Sequence, residues 1–484
     1  MSILCAVKVA SEEALRERIS GLTESEPPSG ALLEQGDVVL AGYGHRNGVV
    51  PQPVTAKRNT QAILLDGHIF NAQRIRESLK PKPRATSEAA TVLGLYGSKE
   101  RKVVHYLDGM FSLFIRDGDA FYAARDPLGT HPLYFAQVNG GWLFASELKA
   151  FGDSAQSLSE FPAGCYFHSE AGLRRYFRLE GPAKPINPSD AIEIVRVLVT
   201  DAVKKHTAGN DVGILLNGSV ESSIIAALAY QKNRKIRTYS AGLEGSQDGH
   251  TAKKVAEWLG VKHTHVEVSV EDILNHLQEI IWLLESFDGP VVRHAVADYF
   301  ALRAAAEEVK IIVGSDAANE LFGGYPYLRP MYAEKLTAEI KRITEDLHRT
   351  HLLRWNRITE AWGLQSRAPF TDRRLVHAVS KLPANFKVSE DGRAKWALRR
   401  AFSTMLPAWI VDRPDSEDVH CVGIQSALAE YADSVFTDED LSRHKGRDTN
   451  GEPVLRTKDE LLYYQIWKQR FPREFLPLVG RTQF

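Results

Sequence analysis

The sequence predicts two units of different class, a layered α+β domain over residues 1–180 and a doubly wound parallel α/β domain over residues 191–484. Three observations lead there. Up to about Phe177, short strand signals alternate with turns and only occasional helical periodicity. From Val212 onward, strand-length apolar runs alternate with helical stretches, the order of a parallel sheet. Between them lies Gly181-Pro182-Ala183-Lys184-Pro185-Ile186-Asn187-Pro188, a proline-rich connector that places the linker at residues 181–190. A chain of 484 residues is also too long for one core.

In the first unit, residues 37–41, 62–65, 112–115 and 121–124 read as strands, with Asp117-Gly118-Asp119 as a hairpin turn between the last two. Helical periodicity marks residues 71–79 and 87–96. In the second unit, Ser189 can cap an amphipathic helix over residues 191–206. Strands are expected at 212–216, 236–242, 263–268 and 310–314, with helices at 221–231, 251–259, 270–287 and 295–308. Trp282 and Phe287 fall at apolar helical spacing and are expected to fill core. The polar stretch 437–457 reads as an exposed loop, followed by a last helix over 459–470.

Composition excludes several functions. With 44% hydrophobic and 25% charged residues the chain is an ordinary soluble type, and 60 basic against 61 acidic side chains leave a net charge of -1. That balance gives no electrostatic reason to expect nucleic acid or an anionic membrane as partner. Cys5, Cys165 and Cys421 are too far apart for a zinc knuckle, and a cytoplasmic setting is expected. No signal peptide or membrane-length apolar run is visible. The sixteen histidines lack ligand spacing, so His68, His263 and His265 are expected to make ordinary polar contacts.

The functional signal is Val212–Ser223, VGILLNGSVESS. An apolar strand breaks at Asn217-Gly218-Ser219 and runs straight into a helix, so unpaired N–H groups and the positive end of the helix dipole face the loop. Such a turn can cradle a phosphate, and it lies at the C-terminal end of a parallel strand, where doubly wound sheets bind ligands.

The run Ala124-Arg125-Asp126-Pro127-Leu128-Gly129-Thr130-His131-Pro132-Leu133-Tyr134, with residues 144–150 (FASELKA), resembles the glutaminase half of glutamine-hydrolysing asparagine synthetases. Gly44-His45-Arg46 and Asp66-Gly67-His68-Ile69-Phe70-Asn71 are similar to that family's glutamine-binding segments. The resemblance implies an N-terminal-nucleophile-type sandwich. Its chemistry requires a cysteine exposed as residue one after methionine removal, whose own amine serves as the base. This chain has Ser2 there, and Cys5 reads as a buried small hydrophobe. Asp66 replaces the family's oxyanion asparagine, Glu88 its amine-binding aspartate, and Arg46 is kept. Ser2, Arg46, Asp66, Gly67 and Glu88 therefore mark a degenerate glutaminase pocket, as in the β-lactam synthetase branch of the family.

The resemblance continues through residues 238–246, Glu285-Ser286-Phe287-Asp288 with Arg293, Phe322-Gly323-Gly324-Tyr325, residues 365–372, and Lys395 with Leu398-Arg399. It implies a PP-loop ATP pyrophosphatase domain that adenylates a carboxylate, with ATP and magnesium as cofactors. It also implies a nucleotide site at Leu215, Asn217, Gly218, Ser219, Ser222, Ser223, Ala241, Gly314 and Ser315, and metal ligands at Glu221 and Asn319. Asp288 and Arg293 take the substrate positions, Asp316 and Lys395 the catalytic ones. The family's loop reads S-G-G-x-D-S, so a serine has become Asn217, a glycine Ser219 and a metal aspartate Glu221. The catalytic glutamate has become Asp316, the second metal aspartate Asn319, and the glutamate before the R-x-P-F segment Gln365. Where the phosphate-facing lysine belongs stands Asp415. At an effective dielectric of 20, each unit charge ~4 Å from a polyphosphate counts for roughly 4 kcal/mol, so this reversal is the most damaging departure.

Two readings follow. One is a catalytically silent homologue that binds a nucleotide or a protein partner, with ATP and magnesium binding weak or lost; the charge reversal favours it. The other is a divergent ATP-dependent ligase, β-lactam-synthetase-like, acting on a small-molecule carboxylate and amine, with Lys395 or Arg399 replacing the missing lysine. Glutamine-dependent asparagine synthesis is a distant third. A homodimer is implied by analogy alone.

Overall fold

The computed structural model describes residues 2–7, 29–35, 38–44, 53–56, 60–83, 85–138, 141–152, 156–182, 185–209, 211–245, 247–414, 422–445 and 452–483. The chain divides into two units, Met1–Leu179 with Glu360–Gln365, and Glu180–Thr359 with Ser366–Phe484.

The first unit holds two six-stranded sheets. One has the order β10-β8-β9-β1-β3-β2, built from β1 (Ser2–Val7), β2 (Ser29–Gln35), β3 (Val38–Gly44), β8 (Tyr134–Val138), β9 (Gly141–Ala145) and β10 (Gln156–Glu160). The other has the order β12-β11-β7-β6-β5-β4, from β4 (Val54–Ala56), β5 (Gln61–Ile69), β6 (Gly109–Asp117), β7 (Ala120–Arg125), β11 (Cys165–His168) and β12 (Gly172–Arg175). Alternation along β5 divides the core. Ala62 and Leu64 join Phe114, Phe144, Phe161 and Cys165 in one cluster, while Ile63 and Leu65 join the residues of helices α1 (Ala72–Ser78) and α2 (Glu88–Lys99) in another. A strand buried on both faces explains why residues 62–65 read as an unbroken apolar run. The hairpin expected at residues 117–119 links β6 to β7, with Gly118 at φ +62°.

In the second unit, α3 (Pro188–His206) starts earlier than expected, and its cap is Asn187, whose Oδ1 accepts from Asp190 N at 2.8 Å. Ser189, the expected cap, instead donates its hydroxyl to Asn187. Pro188 decides the matter, because its fixed φ suits the first helical position and moves the cap two residues upstream. There follow β13 (Val212–Leu215), α4 (Val220–Lys232), β14 (Arg237–Leu243), α5 (Gln247–Leu259), β15 (Lys262–Val268), α6 (Val270–Leu284), α7 (Gly289–Ala306), β16 (Ile311–Val313), α8 (Ala318–Phe322), α9 (Ala333–Asp346), α10 (His351–Ala361) and β17 (Gln365–Arg367). The sheet order is β15-β14-β13-β16-β17, with β13 parallel to both β14 and β16 and β14 parallel to β15. Connections run one way from β13 to β14 and return on the other side to β16. That reversal opens a crevice beyond the carboxyl ends of β13 and β16.

Two expected helices differ from those observed. The one read as 270–287 stops at Leu284, because Glu285 turns left-handed at φ +56° and its N–H closes the last turn on Ile281 O. The one read as 295–308 begins at Gly289, with Asp288 as cap and Pro290 in the first turn. Phe287 is buried and fills core as expected, while Trp282 is half-buried and stacks on Phe471 at 5.3 Å. The stretch expected to be an exposed loop at 437–457 instead carries a short helix, Asp438–Ser442, with a reciprocal Thr437/Asp440 capping box, and buries Leu441 and Leu455. The last long helix is Lys458–Trp467. Among the described residues no helix is long and apolar enough to cross a membrane.

Candidate functional site

The crevice contains a cavity walled by the end of β13, the loop after it, β14, α7, the loop after β16 and α8. The loop holds itself in place. Gly218 sits at φ +75°, and a Cβ there would fall 2.6 Å from Thr251 Cγ2 and 2.9 Å from Arg413 Nη1, so only glycine fits. Asn217 Oδ1 accepts from Ser219 N at 3.1 Å and from Ser222 Oγ at 2.7 Å. Ser219 caps α4, its hydroxyl accepting Ser222 N at 3.2 Å. A side chain thus takes one of the helix N–H groups that an anion would otherwise meet. Arg413 Nη1 donates to Gly218 O at 2.7 Å and brings a guanidinium to the bend.

Every acidic side chain on this wall described here has a partner within the protein. Glu221 Oε2 receives Lys395 Nζ at 2.8 Å, and both residues are 2% exposed. Gly324 permits that approach, since a Cβ there would lie 2.3 Å from Asn319 Oδ1 and 2.5 Å from Lys395 Cε. Arg354, on α10, bridges Asp298 of α7 and Asp316 of the loop after β16. Tyr325 donates its hydroxyl to Glu320. Burial, reinforced by the charge of Asp316, pushes Asp298 up to about 7 despite Arg354, and burial raises Asp316 as well. Burial likewise takes Glu320 to about 7, opposed by the Tyr325 hydrogen bond.

The structure brings together Leu215, Asn217, Glu221, Ala241, Ser315, Asp316 and Asn319 on the cavity wall. Gly218, Ser219, Ser222, Ser223 and Gly314 belong to the same turns without facing the cavity, and Lys395 stands behind Glu221. Asp288 and Arg293 lie elsewhere. Asp288 is fully buried, caps α7, and accepts from Arg456 Nη2 at 2.7 Å and Thr482 N at 2.9 Å; Arg293 pairs with Asp459 at 2.9 Å. Asp415 and Arg46 fall outside the described residues, and of Ser2 only its place in β1 is described.

In the first unit, Gly67 at φ +113° is required, because a Cβ would lie 2.1 Å from Met110 O. Glu88 Oε2 accepts from Ile69 N at 2.6 Å and its other oxygen pairs with His68 Nδ1 at 2.6 Å. Asp66 is buried with His131 Nδ1 at 3.1 Å. Burial raises its pKa, but the His131 charge, a second nearby positive charge and hydrogen bonds from His131 and Glu360 together outweigh that and hold the carboxyl below its ordinary value.

Sequence reasoning missed Arg354, Asp298, His294 and His351 on the cavity wall. The available signal was Asp298 itself, a charge inside the apolar run of α7 that had to have a buried counterion. His263 and His265 make the polar contacts expected of them. They flank Ser240 Oγ at 3.1 and 2.7 Å, and His263 Nδ1 lies 2.9 Å from Thr238 Oγ1. Burial, then the neighbouring His265, depresses His263 to about 4. A neutral-only folded histidine contributes stability above its unfolded pKa of about 6.5 that is lost as pH falls toward 4. Relative to wild type, His263→Gln is therefore expected to gain about 2 kcal/mol between pH 7.5 and pH 5 in denaturant titrations. A pH-independent difference would contradict this.

Comparison with known proteins agrees with this architecture. The asparagine synthase family model matches residues 194–342 and 332–471, and the glutamine amidotransferase domain model matches residues 47–153. An amidotransferase-type domain joined to a synthetase domain defines the class. Among relatives, the probable glutamine-hydrolyzing asparagine synthetase of Schizosaccharomyces pombe is 30% identical over 485 residues, 91% of this chain and 86% of that protein. Asparagine synthetase 2 of Arabidopsis thaliana is 29% identical over 87% of this chain and 78% of its own length, and asparagine synthetase B of Escherichia coli 29% over 87% and 81%. The chain belongs to the asparagine synthetase family.

Proposed function

We propose that this member of the family is a silent homologue: its glutaminase half does not hydrolyse glutamine, and its synthetase cavity takes a nucleotide or a protein partner without adenylating a carboxylate. The buried ion pair between Lys395 and Glu221 carries the reading. Magnesium demands several hard oxygen ligands in near-octahedral array. Of the two residues at the family's metal positions, Glu221 is already neutralised by an ammonium and Asn319 is an uncharged amide, so the set does not fit a divalent cation. Ser219 and Asp415 add to this, the first by occupying a helix N–H and the second by its sign. Ser2 and Asp66 support the loss of glutaminase chemistry, because they replace the family's cysteine nucleophile and its neutral oxyanion donor.

One observation favours a divergent amide-forming ligase instead: Arg413 supplies a cation at the bend of the loop. Pyrophosphate release separates the two. Purified protein given ATP, magnesium and a panel of amino-acid carboxylates is expected to release none above the no-enzyme rate, while a fluorescent ATP analogue reports whether the cavity is occupied. Sustained release coupled to AMP would establish the ligase.

A further inference from the structure

We infer that Asp66, His131 and Glu360 form a three-ligand site for a first-row divalent transition ion, with zinc as the representative. The inference is independent of the reading of the synthetase cavity. All three residues belong to the first unit, all are buried, and one ligand atom from each lies within 4.8 Å of the others. His131 Nδ1 is 3.1 Å from Asp66 Oδ1 and 3.8 Å from Glu360 Oε1. Ligands about 2.0–2.1 Å from a tetrahedral ion sit roughly 3.4 Å apart, so small rotations would bring these atoms into a first coordination sphere. Three protein ligands leave the fourth position to a water.

The donor set argues the same way. A mixed imidazole and carboxylate set also suits zinc, iron or manganese better than calcium or magnesium.

The scaffold holds these ligands still. Asp66 lies on β5, in register with Ser112 of β6. The segment carrying His131 is fixed from both sides. Arg125, fully buried, donates through Nε to His131 O at 2.7 Å and through Nη2 to Gly129 O at 2.9 Å. Asp126 accepts from Leu128 N at 3.0 Å and Thr130 N at 2.8 Å. Backbone anchoring of this kind is what orients a metal ligand. The bound ion would pin β5, the 126–131 turn and the 360–365 segment to one another.

The test uses the full chain, stripped with a chelator, dialysed, and titrated with zinc against a chromophoric competitor. One equivalent per chain is expected, with the affinity reduced about 100-fold or more in His131→Ala and in Glu360→Gln at unchanged circular dichroism. Failure of the wild type to take up one equivalent, or uptake unaltered by His131→Ala, overturns the site. Should either variant fail to fold, cobalt titration of the wild type decides. An intense visible d–d spectrum of four-coordinate cobalt supports the assignment, and a weak six-coordinate spectrum or none refutes it.

Discussion

Replacing Lys395 with methionine is expected to lower the unfolding free energy by about 3–5 kcal/mol, because it strands the Glu221 carboxylate in a water-excluded position. For a unit of about 300 residues, that corresponds to a fall of roughly 5–8 °C in Tm. Adding Glu221→Gln to the same chain removes the stranded charge and is expected to recover most of the loss. The pair is therefore read through a double-mutant cycle followed by denaturant unfolding. A single-variant loss within about 1 kcal/mol, the range of an exposed ion pair, would mean that the two side chains do not meet as described. The outcome bears on function too, since the ammonium that stabilises Glu221 also withdraws it from metal ligation.

Arg354→Met is expected to cost about as much at pH 8, and to do so in a pH-dependent way. Arg354 serves two carboxylates, Asp298 and Asp316, both raised above the ordinary aspartate range by burial even with the guanidinium present. An acid whose folded pKa is raised contributes stability that is full below its unfolded value of about 3.9 and is lost as pH rises through the folded one, here about 7 for Asp298. Without Arg354 both pKa values climb further. The gap between variant and wild type should thus be smallest near pH 5, where the folded variant carries protonated aspartates, and widen toward pH 8. Urea titrations at several pH values measure it, and a constant gap would sink the account.

Much of the fold was legible because its signals are local. The strand ending at Leu215, the Asn217-Gly218-Ser219 bend and the helix after it form one contiguous text, and the alternation of β13 to β16 with helices implies the parallel sheet. What escaped is mostly non-local. The role of Arg354 depends on aspartates 38 and 56 residues away, and nothing in the periodicity of α10 marks it as buried. His131 was read only as part of the 124–134 run that carries the family resemblance, yet it meets Asp66 of a distant strand and Glu360 of a segment from the far half of the chain. The capping role of Asp288 was legible but not read: Pro290 and the apolar run that follows mark it as a helix cap. Ser189 lost its expected role to Asn187 because Pro188 shifts the start of the helix.

The burial of Asp288 has a consequence for proteolytic handling of the protein. Its carboxylate is held by Arg456, by the backbone and hydroxyl of Thr482 and, at 3.5 Å, by Arg481, while Arg481 also meets Glu460 at 2.8 Å. Cleavage before Arg481 would strip two of these clamps at once and leave Arg456 alone between two sequestered acids. The stretch carrying Arg481 and Thr482 is thus a latch, and a nick ahead of it would be felt in the heart of the synthetase unit.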